Sequence, residues 1–214
     1  MFVGAVQRYL PAGSRILDMG CGTGAILSLL TPTYQCLGAD PSELALEYCR
    51  KRGIAAIPGG FGKPFPFPPA SFDGCLVFDV ICHEGVADDV QALTEAASML
   101  KPGGFLFIQE PAYEWMRSIH DAKAHGARRY TVRRLRDLLS GAGFEIVRVS
   151  YRVSLLFPLA ILQRKILKPK DSDMREVNPI LNRILFWIAT LENWLLRYVD
   201  FPFGLSVFAV ARKR

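Results

Sequence analysis

The 214-residue chain has only three histidines, five cysteines and no Cys-x-x-Cys pair, so the usual zinc ligand sets are missing and no resident metal is expected. An odd cysteine count with no signal-peptide pattern excludes a disulfide-stapled secreted scaffold and points to reduced thiols in the cytoplasm. No apolar run is long and uninterrupted enough to span a bilayer. Repeats and low-complexity tracts are absent too. What remains is the length of one α/β unit with a proper core, residues 1–214 as a single domain.

Acidic residues are scarce in one half. Residues 1–110 carry 7 Lys/Arg against 11 Asp/Glu, whereas residues 111–214 carry 19 against 9. The basic character therefore belongs to the second half. A polyanionic substrate, a membrane surface, a nucleic acid or a plain solvated face each accounts for it.

The most informative segment is Arg15 to Leu30, RILDMGCGTGAILSLL. An apolar strand reaches Asp18, turns through Gly20, Cys21, Gly22 and Gly24, and enters an apolar helix. Glycine permits the sharp turn and the close approach of a ligand. Asp40 ends the next apolar run, QCLGAD, where a ribose-binding carboxylate belongs in a nucleotide-binding βαβ unit. The glycines do not follow the GxGxxG spacing that seats a diphosphate on a helix N-terminus. An acid just ahead of the turn would repel a diphosphate and suits the cationic ammonium and sulfonium of S-adenosylmethionine.

LDMGCGTG at 17–24, GAD at 38–40, PFPPASFD at 66–73 and LKPGG at 100–104 occur in that order. In this the chain resembles the class I S-adenosylmethionine-dependent methyltransferases, specifically the small-molecule, methyltransferase type 11/12-like group. The resemblance implies a Rossmann-like, doubly wound, mostly parallel seven-stranded sheet whose antiparallel last strand slips between strands five and six. Short apolar runs place strands near 15–19, 35–39, 54–58, 74–79, 104–109, 144–153 and 204–213. Helices are predicted near 24–31, 42–52, 88–100 and 131–142. Gly53, Gly103 and Gly143 stand where helix C-caps are wanted.

The resemblance also implies roles. Gly20, Cys21, Gly22 and Gly24 lie under the methionine part of the cofactor, Cys21 as a small turn residue rather than a nucleophile. Asp18 faces its ammonium, and Asp40 accepts both ribose hydroxyls. Phe61 stands where many relatives carry an acid beside adenine, and Phe78 belongs to the same cofactor set. On the acceptor side, His83, Glu110, Tyr113, Arg128, Arg129 and Tyr130 are candidate substrate contacts. HDAKAHGARRY at 120–130 resembles a stretch found in a bacterial subset of these enzymes. His120 or His125 is the candidate general base, oriented by Asp121. The other reading has Arg128, Arg129 and Tyr130 merely opening the next helix and pairing with surface acids.

Residues 154–203 exceed the short connection expected between the last two strands, and form a helical cap or insertion. Within them Ile184, Trp187, Ile188, Leu191 and Leu195 recur at helical spacing. That stripe must be covered, whether as a lid over an apolar substrate, as a homodimer seam or on a membrane surface. The expected activity is methylation of a small, apolar or lipid-linked metabolite on O, N or C. The alternatives are a nucleic-acid methyltransferase, disfavoured because no Asn/Asp-Pro-Pro-aromatic motif follows strand four, and a cofactor-binding, non-catalytic interaction subunit.

Overall fold

A computed structural model of the chain describes residues 2–63, 65–167 and 178–214. Seven strands form one sheet: β1 (Arg15–Met19), β2 (Gln35–Asp40), β3 (Ala56–Pro58), β4 (Phe72–Phe78), β5 (Leu100–Pro111), β6 (Phe144–Arg152) and β7 (Ser206–Lys213). Their order is β3-β2-β1-β4-β5-β7-β6. β1 to β5 pair in parallel, and β7 is antiparallel to both of its neighbours. This is the doubly wound sheet that the motifs imply.

The strands are apolar on both faces because helices cover both. Period-two alternation divides adjacent residues between two cores. Leu17, Val77 and Ile108 join Leu93 and Leu139 on one face. Ile16, Leu76 and Phe107 join Val6 and Leu27 on the other.

The helices are α1 (Phe2–Tyr9), α2 (Leu27–Leu30), α3 (Glu43–Lys51), α4 (Asp89–Met99), α5 (Ile119–Lys123), α6 (Val132–Gly141), α7 (Phe157–Ile161) and α8 (Pro179–Leu195). Ser42, Asp88 and Thr131 cap α3, α4 and α6 by accepting main-chain N–H groups three residues on. α2 starts later than residue 24, because Gly22 and Gly24 hold positive φ of 51° and 72° and keep the chain out of helix until the turn is complete. Gly53 and Gly143 follow helices in the left-handed conformation, as expected. Gly103 does not: α4 ends at Met99 and Leu100 passes straight into β5, so its φ of 76° serves a turn inside that strand's span. α1 and α5 lie outside the predicted helices.

The excursion between β6 and β7 is helical, with α7, a π-helical turn at Leu162–Leu167, and α8. Glu192 anchors it. Its carboxylate is 5 % exposed and accepts the N–H groups of Ser154 at 2.8 Å and Leu155 at 3.0 Å, just past the end of β6. The predicted stripe of α8 divides: Ile188 and Leu195 are half-buried, whereas Ile184, Trp187 and Leu191 are exposed. Among the described residues no helix is long and apolar enough to cross a membrane.

Candidate functional site

The carboxyl ends of β1, β2, β4, β5 and β6 meet along one edge, where an open parallel sheet receives ligands. At β1 the glycine turn folds over that edge. Gly20 (φ 94°) lies so close to Val80 that a Cβ would stand 2.5 Å from a valine methyl, whereas a Cβ on Gly22 (φ 51°) would meet nothing within 4 Å. Gly20 therefore serves packing, and Gly22 borders open space. Asp40 ties the turn to β2, accepting the N–H of Gly22 at 2.8 Å and that of Ser42 at 2.9 Å. Asp18 is 2 % exposed. Burial, then the nearby Asp40, pushes its pKa up to about 7. Its carboxylate takes no hydrogen bond from any described residue.

Cys21 is buried with its sulfur 3.9 Å from that of Cys49, in space that a side chain on Gly38 would fill. Burial and the Asp18 charge raise its pKa, so it remains a neutral filler. Phe61 is half-buried against the core beside Phe65 and Phe67, and Phe78 packs at the end of β4 on the α1 face.

The acceptor-side candidates separate into two groups. Glu110 is fully buried and accepts the N–H groups of Val80, Ile81 and Cys82 at 3.2, 3.0 and 3.1 Å. It supports the loop after β4 from below and is not presented to a substrate. Arg128 donates to the carbonyls of Ile81, His83 and Val86 and lies 3.2 Å from Asp89. Tyr130 is fully buried, with its hydroxyl on the Ile81 carbonyl at 3.1 Å. Arg129 is paired with Asp121 at 2.7 Å, both buried, and also donates to the Ala112 carbonyl. The Arg-Arg-Tyr run is thus a clasp on the loop after β4 and the segment after β5, and its partners are buried acids and carbonyls rather than ligand.

That pairing bears on the role given to Asp121, whose carboxylate accepts from Arg129 and Ser118 among the described residues. His125 is 71 % exposed, and its Nδ1 meets Glu84 at 2.8 Å on the surface. Surface pairing removes it from the position of a base. His120 lies in α5, and its side chain is outside the described residues.

The second group faces the cleft. Asp79, left-handed at φ 56°, follows β4 and accepts from the Gln109 amide at 3.2 Å, and Arg152 at the end of β6 donates to the Gln109 oxygen. Crowding by protein raises the Asp79 pKa, against the pull of Gln109, Arg152 and His83. Desolvation brings Arg152 down to about 10, opposed by Glu192 and Asp79. Beside this polar chain stands an aromatic wall: Tyr113 stacks on Tyr151 at 5.1 Å, and Phe157 lies 5.6 Å from Tyr113 and 5.8 Å from Phe203. Sequence reasoning missed Asp79, Gln109, Arg152 and the wall apart from Tyr113. Their signal was position alone, at strand ends.

A family profile described as a methyltransferase domain matches residues 17–108. The chain is 34% identical over 122 residues to a fatty-acid O-methyltransferase of Mycolicibacterium smegmatis, covering 51% of this chain and 43% of that one. It is 36% identical over 107 residues to the tRNA (carboxymethyluridine(34)-5-O)-methyltransferase of Mus musculus, covering 50% of this chain and 15% of that one. The chain therefore spans less than half the length of both. A crystal structure of an S-adenosylmethionine-dependent methyltransferase from Thermotoga maritima, described as a possible histamine N-methyltransferase, superposes with a TM-score of 0.62 at 24% identity, over 99% of this chain and 87% of that one. Residues 17–108 are thus similar to a methyltransferase domain, and the fold is that of S-adenosylmethionine-dependent methyltransferases of class I.

The residues present fit the cofactor of that class. A buried carboxylate with no hydrogen-bond partner among the described residues is costly unless a cation joins it, and the ammonium of S-adenosylmethionine supplies one. In this chain, Asp18 and the Gly20–Gly24 turn would hold the methionine end, and Asp40, with lone pairs left beyond its two N–H partners, the ribose. When bound, the cofactor supplies a methyl group on a positively charged sulfur.

Proposed function

We propose that the domain transfers a methyl group to a carboxylate oxygen of a small apolar acid. The observation that carries this reading is Arg152, a desolvated guanidinium at the carboxyl edge of the sheet, with the Tyr113–Tyr151 stack beside it. A cation fixes an anionic head, and the aromatic wall takes the apolar body. Displacement at the methyl carbon needs the carboxylate oxygen in line with the C–S bond. An O–C bond forms, the C–S bond breaks with its electron pair going to sulfur, and no proton is lost. A carboxylate nucleophile requires no general base, which agrees with the surface position of His125 and with Asp121 being spent on Arg129. The fatty-acid O-methyltransferase relative supports the same substrate class. Basic residues of the second half are partly consumed within the fold, as Arg128 and Arg134 on Asp89, Arg129 on Asp121 and Arg148 on Asp200.

A hydroxyl is the second acceptor class, with His83, in the loop after β4 where its main-chain N–H donates to Val80, as the side chain that would take its proton. Radiolabelled S-adenosylmethionine with medium-chain fatty acids, apolar phenols and tRNA separates these readings. Methyl esters release methanol in mild alkali, and ethers and methylated bases do not. Label in the acids, with kcat/KM lowered at least tenfold in Arg152→Met at unchanged cofactor affinity, is the expected result. Label in phenols or tRNA alone overturns the carboxylate assignment.

A further inference from the structure

We propose that the outer face of α8 docks on an anionic lipid bilayer. Glu192 fixes the geometry. It lies level with the chain just past β6, and Leu196 is buried one turn later, so the part of the helix before Glu192 runs beyond the sheet's carboxyl edge. Twelve or so residues at a rise of about 1.5 Å each extend it by roughly 18 Å. No residue from Pro179 to Leu191 is fully buried.

The helix carries two apolar stripes. One, with Leu185, Ile188, Leu195 and Leu196, turns toward the body. The other consists of Ile180, Ile184, Trp187, Leu191 and Trp194, exposed by 73, 50, 62, 51 and 52 %, and is continued by Tyr198, 72 % exposed, in the turn after the helix. Those positions alternate four and three apart, so they form one straight line along the helix. An unpartnered apolar line of this length marks an interaction surface.

Charge and residue type select the occupant. The stripe is flanked by exposed Arg183 and Arg197, and the single acid of the helix, Glu192, is turned inward. A second copy packed face to face would set arginine beside arginine with no exposed acid on either helix to answer it. Anionic headgroups answer it directly. Two tryptophans and a tyrosine, apolar rings with polar edges, suit the headgroup boundary. The excess of 19 Lys/Arg over 9 Asp/Glu in residues 111–214 adds long-range attraction of the same sign. The helix would lie in the interface, with the carboxyl edge of the sheet beside the lipid.

Flotation of the full chain with vesicles of phosphatidylglycerol and phosphatidylcholine, against phosphatidylcholine alone, tests this. The expected result is recovery with the anionic vesicles at least tenfold above the neutral ones, weakened at about 0.5 M salt, where charge attraction is screened. Tryptophan emission should shift to the blue, since Trp115, Trp187 and Trp194 are all half-exposed or more. The Trp187→Ser/Trp194→Ser variant, altered only at exposed positions, should lose flotation at least tenfold with its circular dichroism and S-adenosylhomocysteine affinity unchanged. Arg183→Glu should lose it on the anionic vesicles in particular. Three outcomes overturn the proposal: no flotation, flotation retained in both variants, or a concentration-dependent dimer that the tryptophan variant dissolves. None of these depends on which acceptor is methylated, because cofactor binding and methylation of a soluble short-chain acid are read separately.

Discussion

The main-chain N–H of Gly22 donates to the Asp40 carboxylate at 2.8 Å, locking the turn after β1 to the end of β2. One side chain thus shapes the glycine turn and is the one that would hold the ribose. Asp40→Ala is expected to lower the stability of the free protein by about 1–2 kcal/mol, from the unsatisfied N–H, and to weaken S-adenosylhomocysteine at least tenfold. Asp40→Asn, which keeps an acceptor oxygen, should recover most of the stability and little of the affinity. Thermal melts and calorimetry read the two effects separately.

Asp18 predicts a pH dependence of cofactor binding. Its carboxyl titrates near 7 in the free protein, and a cationic ligand prefers the ionised form. Affinity for S-adenosylhomocysteine should be level above pH 8 and fall toward tenfold per pH unit below 7, with proton release near neutrality in calorimetry buffers of different ionisation enthalpy. Because the folded pKa lies above the unfolded one, Asp18 favours folding below about pH 4, and that contribution is lost as pH rises through 7. Asp18→Asn should therefore melt higher than wild type at pH 8, by up to ~4 kcal/mol for three pKa units, while binding cofactor worse.

Gly20 and Gly22 should respond differently to alanine. Gly20→Ala drives a Cβ into Val80 and is expected to lower the melting temperature strongly. Gly22→Ala has free space around its Cβ and costs only the left-handed backbone, of order 1 kcal/mol. Its methyl enters the space beside Asp40, and S-adenosylhomocysteine affinity should drop at least tenfold in a protein that still folds.

The buried Asp121–Arg129 pair should matter to stability first. Burial would raise the Asp121 pKa, but the Ser118 N–H and Arg129 hold it below the ordinary carboxylate range. The contribution is then complete above that range and is lost as pH falls through the depressed value. Arg129→Ala is expected to cost about 3–5 kcal/mol at pH 7, because it leaves a buried charge unpaired. Arg129→Lys cannot reach both Asp121 and the Ala112 carbonyl, and should recover only part. Denaturant melts at pH 7 and pH 3 check both the size and the direction.

His125→Ala should leave single-turnover methyl transfer within twofold of wild type. Its only described side-chain partner is Glu84, at the surface. A hundredfold slower transfer would return His125 to the chemistry.

The turn after β1 and its tie to β2 were legible because their residues are close in sequence and each has a backbone requirement: glycines that must turn, an acid at a strand end, a serine cap. The acceptor side was not. The run from Gln109 to Thr131 is rich in titratable side chains, and residue type alone cannot separate an arginine that meets a ligand from one that holds three loop carbonyls, as Arg128 does. Burial decides that, and burial belongs to the tertiary fold. Glu192 shows the same limit, since in sequence it interrupts an apolar stretch, while in the fold it fastens α8 to the end of β6. α1 escaped detection because FVGAVQRY is eight residues long and has no capping signal at its start.

The aromatic wall draws Tyr113 from the exit of β5 but Phe157 and Phe203 from the excursion between β6 and β7. The wall is thus assembled from stretches far apart in the chain. Moving Phe157 and Phe203 to another scaffold of this kind would leave Tyr113, Tyr151 and Arg152 behind, so a selectivity of the proposed sort cannot be transplanted as one contiguous piece.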